Sequence, residues 1–112
     1  MWIMTQHGFY SIVASKEQKG FLIRARELQD IENAIDIIGD EELHVKKTPQ
    51  ADYRFRLFVS KEQLNRFMNH VTSHIDYPNF KERIHKKADQ KGKSDAYMAV
   101  WATMYQLQMD QK

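Results

Sequence analysis

The chain has 112 residues, of which 42% are hydrophobic and 29% charged, with a formal net charge of +2 and no cysteine. That length suits one domain with a core that needs no covalent or metal staple. The absence of cysteine excludes a disulfide framework and a cysteine metal site. No apolar run approaches the ~20 residues that span a bilayer, and Met1–Thr5 does not resemble a signal peptide. We therefore expect a cytoplasmic protein with no membrane association.

The first part of the chain predicts a hairpin followed by a helix. Phe9–Ala14 and Phe21–Arg26 are rich in strand-forming residues, and a polar segment ending in glycine joins them. Trp2–Thr5 extends the first strand, with Gly8 permitting a kink or the close approach of a ligand. Leu28–Ile38 then shows helical spacing, and the glycine that follows is placed to cap that helix.

Two further strands are predicted in the middle of the chain. Glu42–Lys47 reads as a short edge strand that its lysines would protect. Tyr53–Val59 is the clearest strand, with Tyr53 on the same face as the apolar residues at 55, 57 and 59.

Three helices complete the chain. Ser60 opens a capping box before a clean apolar stripe. Pro78 breaks that helix and marks the entry to a short one. Ser94 is expected to cap a last helix, whose apolar face includes Tyr97 and Trp101. These two rings are too large to leave in water, so the last helix should cover the second sheet face or form a homodimer.

This order of elements predicts an α+β fold in two layers. An antiparallel sheet, ferredoxin-like or related, should carry helices on one face. We predict one domain over residues 1–112, with an α+β core at 1–75 and a C-terminal helical extension at 76–112.

Two strands carry the same Arg-x-Arg pattern, which is the most specific feature of the sequence. Side chains alternate along a strand, so Arg24 and Arg26 should share a face, as should Arg54 and Arg56. In one sheet these four guanidinium groups could bind phosphate. The alternative is that they pair with carboxylates inside the protein. The acidic candidates for that pairing are Asp30, Asp52 and Asp76.

Positive charge is concentrated near the C-terminal third. Residues 81–93 hold six basic side chains against two acidic ones, namely Lys81, Arg83, Lys86, Lys87, Lys91 and Lys93 against Glu82 and Asp89. Such a patch can attract phosphates, although a solvated loop is the more common explanation for a lysine-rich segment. We name Lys81, Lys86 and Lys87 as candidate phosphate contacts, beside Asn79 at the start of the short helix.

Five other side chains are candidate ligand contacts because they bring polar or aromatic groups close to the arginines or to a glycine. These are Gln6, His7, Tyr10, Tyr53 and Asn79. An exposed aromatic ring there could stack on a base. The alternative is a first strand with aromatic residues in the core and a turn with capping side chains.

The histidines give no metal motif. His70 and His74 are four residues apart on a helix, but no glutamate follows His70 and a third ligand would have to come from elsewhere. We predict no metal site, no cofactor and no catalytic residue.

The stretches Trp2–Ser11, Ile23–Arg26, Asp52–Arg56, Ile75–Lys81 and Tyr97–Trp101 together resemble a family of short, uncharacterised proteins from bacteria and their phages. The resemblance runs over nearly the whole chain. It implies no activity, ligand or fold, so it assigns no residue a role.

The sequence thus predicts a binding protein for RNA, DNA or a nucleotide phosphate. One alternative is a protein-interaction module, such as a phage- or host-encoded regulator or inhibitor of a nucleic-acid-processing complex. The weaker alternative is a small nuclease with His7 as its base.

Overall fold

A computed structural model describes residues 1–111, and it confirms the α+β class. The chain divides into two compact units, Met1–Asp76 and a second unit that starts at Tyr77. Across residues 1–111, no helix combines the length and hydropathy needed to cross a bilayer.

The first unit is built on a five-stranded antiparallel sheet. The strands are β1 (Trp2–Thr5), β2 (Gly8–Ala14), β3 (Phe21–Ala25), β4 (Lys46–Lys47) and β5 (Phe55–Val59), in the spatial order β1-β2-β3-β5-β4. The ferredoxin-like form of such a sheet is not confirmed. Residues 2–5 are a separate strand paired with β2, rather than an extension of it as predicted, because the chain reverses at residues 6 and 7.

Two helices, α1 (Leu28–Ile38) and α2 (Lys61–Ser73), cover one face of this sheet. Gly39 ends α1 at φ 81°, a left-handed conformation that favours glycine, and Ser60 and Gln63 form the predicted capping box of α2. Alternate residues of β2, β3 and β5 meet the helices in a single apolar core. The core residues are Tyr10, Ile12, Ile23, Ala25, Ile31, Ala34, Ile38, Leu57, Val59, Leu64 and Phe67.

An ion pair connects α2 to the end of α1. Arg66 Nη2 lies 2.6 Å from Asp40 Oδ2, and Arg66 Nη1 donates to the carbonyl of Ile38 at 2.7 Å. Hydrogen bonds from Arg66, and then from Gln63, lower the pKa of Asp40 below its ordinary value. Arg66 is therefore a cation that already has an internal partner on the helical layer.

The second unit contains α3 (Phe80–Lys86), a single 3-10 turn (Lys91–Lys93) and α4 (Ser94–Met109). Asn79 caps α3, since its Oδ1 accepts the amide of Glu82 at 3.0 Å. The prediction that Ser94 caps the last helix is wrong: Ser94 is the first helical residue, and no side chain caps α4.

Gly8 is needed for contact within the protein. An added Cβ at Gly8 would lie 2.5 Å from Asp30 Cγ, and that carboxylate accepts the Phe9 amide at 3.2 Å. The hydroxyl of Tyr10 donates to the Asp30 carbonyl at 2.7 Å. The close approach at Gly8 is therefore made by Asp30, which fastens α1 to the start of β2.

We predict that Gly8→Ala lowers the free energy of unfolding by about 1–3 kcal/mol, because a methyl group cannot fit against the buried Asp30 side chain. Urea unfolding followed by circular dichroism measures this change. Gly92→Ala is the matched control, since nothing lies within 4 Å of its added Cβ. Equal effects of the two substitutions would contradict this role of Gly8.

Candidate anion-binding site

Three cations lie side by side on the face of the sheet that α1 and α2 do not cover. Arg24 on β3 is directly opposite Arg56 on β5, and Arg56 is directly opposite Lys46 on β4. We call Arg24, Arg56 and Lys46 the cationic row. Neighbouring strands are ~4.8 Å apart, and like charges directly opposite each other destabilise a sheet by up to about 1 kcal/mol.

Strand alternation explains why the row faces away from the core. Ile23 and Ala25 are buried against the helices, so Arg24 between them must point to the other face. Leu57 fixes the orientation of Arg56 in the same way. The sequence pattern therefore works as predicted for these two arginines.

Arg24 is held in place by a hydroxyl group and an aromatic ring. Its Nη2 donates to Ser11 Oγ at 2.7 Å, and its Cζ lies 4.7 Å from the centre of the Tyr53 ring. Arg26 shares this support: its Cζ is 4.2 Å from the Tyr53 ring and 5.9 Å from that of Phe9. Arg24 Nε is buried and makes no hydrogen bond.

Tyr53 corrects one prediction. The strand begins at Phe55, so Tyr53 lies in the bend before it and does not follow the alternation that was expected to put it on the face of residues 55, 57 and 59. Its ring packs under Arg24 and Arg26 on the open face and is only 4% exposed. Tyr53 thus positions two of the arginines.

Arg56 has one acidic neighbour. Its Nη2 lies 3.6 Å from Asp52 Oδ1, so the predicted internal pairing exists for this residue. The Asp52 side chain is 71% exposed, and an exposed pair at this distance contributes little energy. Arg56 Nε is buried and donates no hydrogen bond.

A groove of about 430 Å³ runs beside the row. Besides Arg24, Arg56 and Lys46, its polar lining includes Lys16, His44 and Glu17, and its apolar lining includes Val13, Leu22 and Phe58. The groove therefore joins several cations to an apolar wall, a combination that suits a ligand with both charged and flat apolar parts.

The other predicted arginine is placed differently. Arg54 lies in the bend before β5 and is exposed, so strand alternation does not fix its side chain. The structure brings Arg24, Arg26 and Arg56 to one face through shared strand pairing and through Tyr53. It does not place Arg54 with them.

Three of the predicted ligand contacts belong to the turn and core of the first unit. Gln6 is buried and donates to the carbonyl of His74 at 2.8 Å. Tyr10 is fully buried on the core face, where its ring meets Phe67 edge-on at 5.1 Å. His7 packs against His70 at 5.1 Å between ring centres. None of these three side chains lines the groove described above.

The remaining predicted contacts belong to the second unit. Asn79 is committed to capping α3, and Lys81 Nζ lies 4.7 Å from the centre of the Trp101 ring. Lys86 is the last residue of α3, and Lys87 caps its C-terminus. Lys81 and Lys86 line one pocket of the second unit, and Lys87 does not.

Sequence reasoning missed two members of the site. Lys46 was interpreted only as protection of a sheet edge, and Ser11 was not connected with Arg24. The signal that identifies both is the strand register, which puts Ser11, Arg24, Arg56 and Lys46 in one line across four strands. Register depends on pairing between distant segments, so the local pattern does not show it.

Comparison of the chain with protein-family models, with curated proteins and with solved structures gives no match. The resemblance to short bacterial and phage proteins therefore stays a prediction.

A cluster of three histidines, His7, His70 and His74, lies where the turn between β1 and β2 meets the end of α2. His70 and His74 stack with ring centres 3.8 Å apart. Burial lowers the pKa of His70 below its ordinary 6.5, and the neighbouring His74 lowers it further. Within residues 1–111, no group of three or more candidate ligands is arranged to hold a metal ion.

This lowered pKa predicts a loss of stability on mild acidification. The unfolded chain takes up a proton at position 70 near pH 6.5, whereas the folded chain resists it, so stability falls as pH drops from about 7 to about 5. Because the pKa of Asp40 is lowered below its ordinary value, Asp40 affects stability only at a lower pH than His70 does. Urea unfolding at both pH values should show a smaller pH dependence for His70→Gln. His85→Gln, at an exposed position on α3, should retain the full dependence.

Proposed function

We propose that the open face of the sheet binds an anionic ligand that carries phosphate, namely RNA, DNA or a nucleotide. One observation supports this most directly: Arg24, Arg56 and Lys46 lie opposite one another on three neighbouring strands. Among residues 1–111, the carboxylate that forms an ion pair with this row is Asp52. Because few carboxylates neutralise this row of cations, an anion that binds across it lowers the repulsion between them.

The guanidinium geometry favours phosphate over a simple point charge. Arginine presents several donors in one plane, and two adjacent oxygens of a phosphate accept from them together. Tyr53 and Ser11 restrain Arg24 before any ligand arrives, which lowers the entropic cost of binding.

The surroundings of the row favour a nucleic acid or nucleotide over a bare phosphate. Leu22 and Phe58 form an apolar wall of the groove that could meet a sugar or base. Trp2 lies opposite Ser11 at the end of the same line and is 74% exposed. Cations beside an exposed aromatic ring are the usual elements of a surface that binds single-stranded nucleic acid.

The lysines of the second unit would contribute long-range attraction. Lys81, Lys86 and Lys87 belong to a segment in which basic side chains outnumber acidic ones. Such a segment raises the local concentration of a polyanion and the rate at which it associates. These lysines would speed the first association with the polyanion, while the arginines of the sheet would make the contacts of the bound state.

The test is a binding titration of the full chain with a fluorescent, mixed-sequence single-stranded oligonucleotide at low salt. We expect the double variant Arg24→Gln/Arg56→Gln to lose about tenfold or more in affinity, because each charge-assisted hydrogen bond contributes ~1.5–3 kcal/mol. The slope of log K against log salt should become shallower by about 0.7 for each phosphate contact removed.

Arg66→Gln is the matched control. It removes one positive charge, as the single variants Arg24→Gln and Arg56→Gln each do, but from the helical layer, where Arg66 already pairs with Asp40. It should therefore change affinity little, whereas each single variant should weaken binding. Circular dichroism establishes that each variant is folded. Failure of the parent chain to bind at low salt, or an equal loss in the Arg66 variant, would refute the proposed site.

A protein-interaction role is the second candidate, and α4 favours it. Trp101 and Tyr105 are 50% and 47% exposed, although Tyr97 is buried against α3 within the second unit. The nuclease alternative loses its main support, because His7 packs in the histidine cluster and does not line the groove.

A further inference from the structure

The surface of α4 is unlike that of the other helices. From Ala96 to Met109 it carries no charged side chain, yet most of its residues are exposed. Seven large apolar side chains of the helix are 41% exposed or more, namely Met98, Val100, Trp101, Met104, Tyr105, Leu107 and Met109. An exposed apolar surface of this extent marks an interaction site. We infer that α4 pairs in antiparallel fashion with α4 of a second copy of this chain.

The spacing along α4 supplies a seam for such a pair. Tyr97, Val100, Met104 and Leu107 follow the alternating three- and four-residue steps of a heptad repeat. Tyr97 is used within the second unit, where its ring packs on Phe80 at 5.7 Å. The later three are exposed and lie along one side of the helix, so a second helix can pack against them.

The aromatic residues beside the seam are already ordered. Trp101 and Tyr105 stack with ring centres 5.2 Å apart and an angle of 5° between their planes. Lys81 Nζ lies 4.7 Å from the centre of the Trp101 ring. Because these rings are held in place in the free chain, covering them costs little side-chain entropy.

The lack of charge argues for a second copy as the occupant. Self-pairing places identical surfaces together, so a charged stripe would repel itself, whereas residues 96–109 bring no such repulsion. A helix that lies on a membrane surface is rich in Lys and Arg on its polar face. The polar side of α4 instead carries Thr103 and Gln106, which does not fit that type of partner.

The ends of the helix favour the antiparallel orientation. Lys91 and Lys93 precede α4 and outnumber Asp95 in its first turn, and Asp110 follows its last residue. In an antiparallel pair, Asp110 of one copy approaches the basic end of the other, and the two helix dipoles oppose each other. A parallel pair would place like charges and like dipole ends together.

Sedimentation velocity of the full chain over a concentration series tests the association. We expect a monomer–dimer equilibrium in the micromolar range, since each partner contributes one side of a single helix, whereas a standard interface buries ~800 Å² per partner. Met104→Glu should weaken the dimer about tenfold or more by burying a charge in the seam. Ala102→Glu adds the same charge at an exposed position on the opposite side of α4 and should leave the equilibrium unchanged.

Spin labels test the orientation. The chain has no cysteine, so Ala96→Cys and Thr103→Cys each introduce one label at an exposed position on the same flank of the seam, one heptad apart. In an antiparallel pair the distance between labels should be longer at position 96 than at position 103 by on the order of 10–15 Å, given ~1.5 Å of rise per residue. Equal distances would refute the antiparallel arrangement. A chain that stays monomeric throughout the concentration series, or that dimerises equally well with Met104→Glu, would refute the pairing itself.

Discussion

The cross-strand meeting of Arg24 and Arg56 is the interaction on which the open face depends. Two guanidinium groups directly opposite each other repel, and a sheet gains nothing from them as structural elements. The protein manages this repulsion with weak partners: a hydroxyl from Ser11, a ring from Tyr53 and an exposed carboxylate from Asp52. All three orient the arginines and leave most of their charge available. Such an arrangement is what a surface needs if it is to bind and release a polyanion.

The two units divide the chemistry of the chain between them. In the first unit, Arg66 on the helical layer forms an ion pair with Asp40. The cations of the row lie on the opposite face of the sheet. The second unit holds a basic segment and a helix without charge at residues 96–109. The cations proposed to bind a polyanion and the apolar surface proposed to bind a protein therefore belong to different elements.

Local signals in the sequence predict most of the elements but not their pairing. The helical spacing of α1, the capping box at Ser60 and the alternation in β5 each involve neighbours in the chain, and each appears where predicted. The predicted face of Tyr53 is wrong because the bend before β5 breaks the alternation on which the prediction depended. Lys46 and Ser11 lie beside the arginines because of the strand register, and the register is set by contacts between distant segments of the chain. Gly8 was read as room for a ligand because the sequence does not show that Asp30 occupies that place.

The position of β5 in the sheet has a consequence for how the protein folds. β1, β2 and β3 form a meander of segments that are neighbours in the chain. β5 also pairs with β3, but α1 and β4 lie between these two strands in the sequence. Closing so long a loop is entropically costly, so the meander should form early and the β3–β5 ladder late. Arg24 and Arg56 meet across that late ladder. A nascent or partly folded chain would then lack the assembled cationic row, and the polyanion that we propose as its ligand would selectively stabilise the completed sheet.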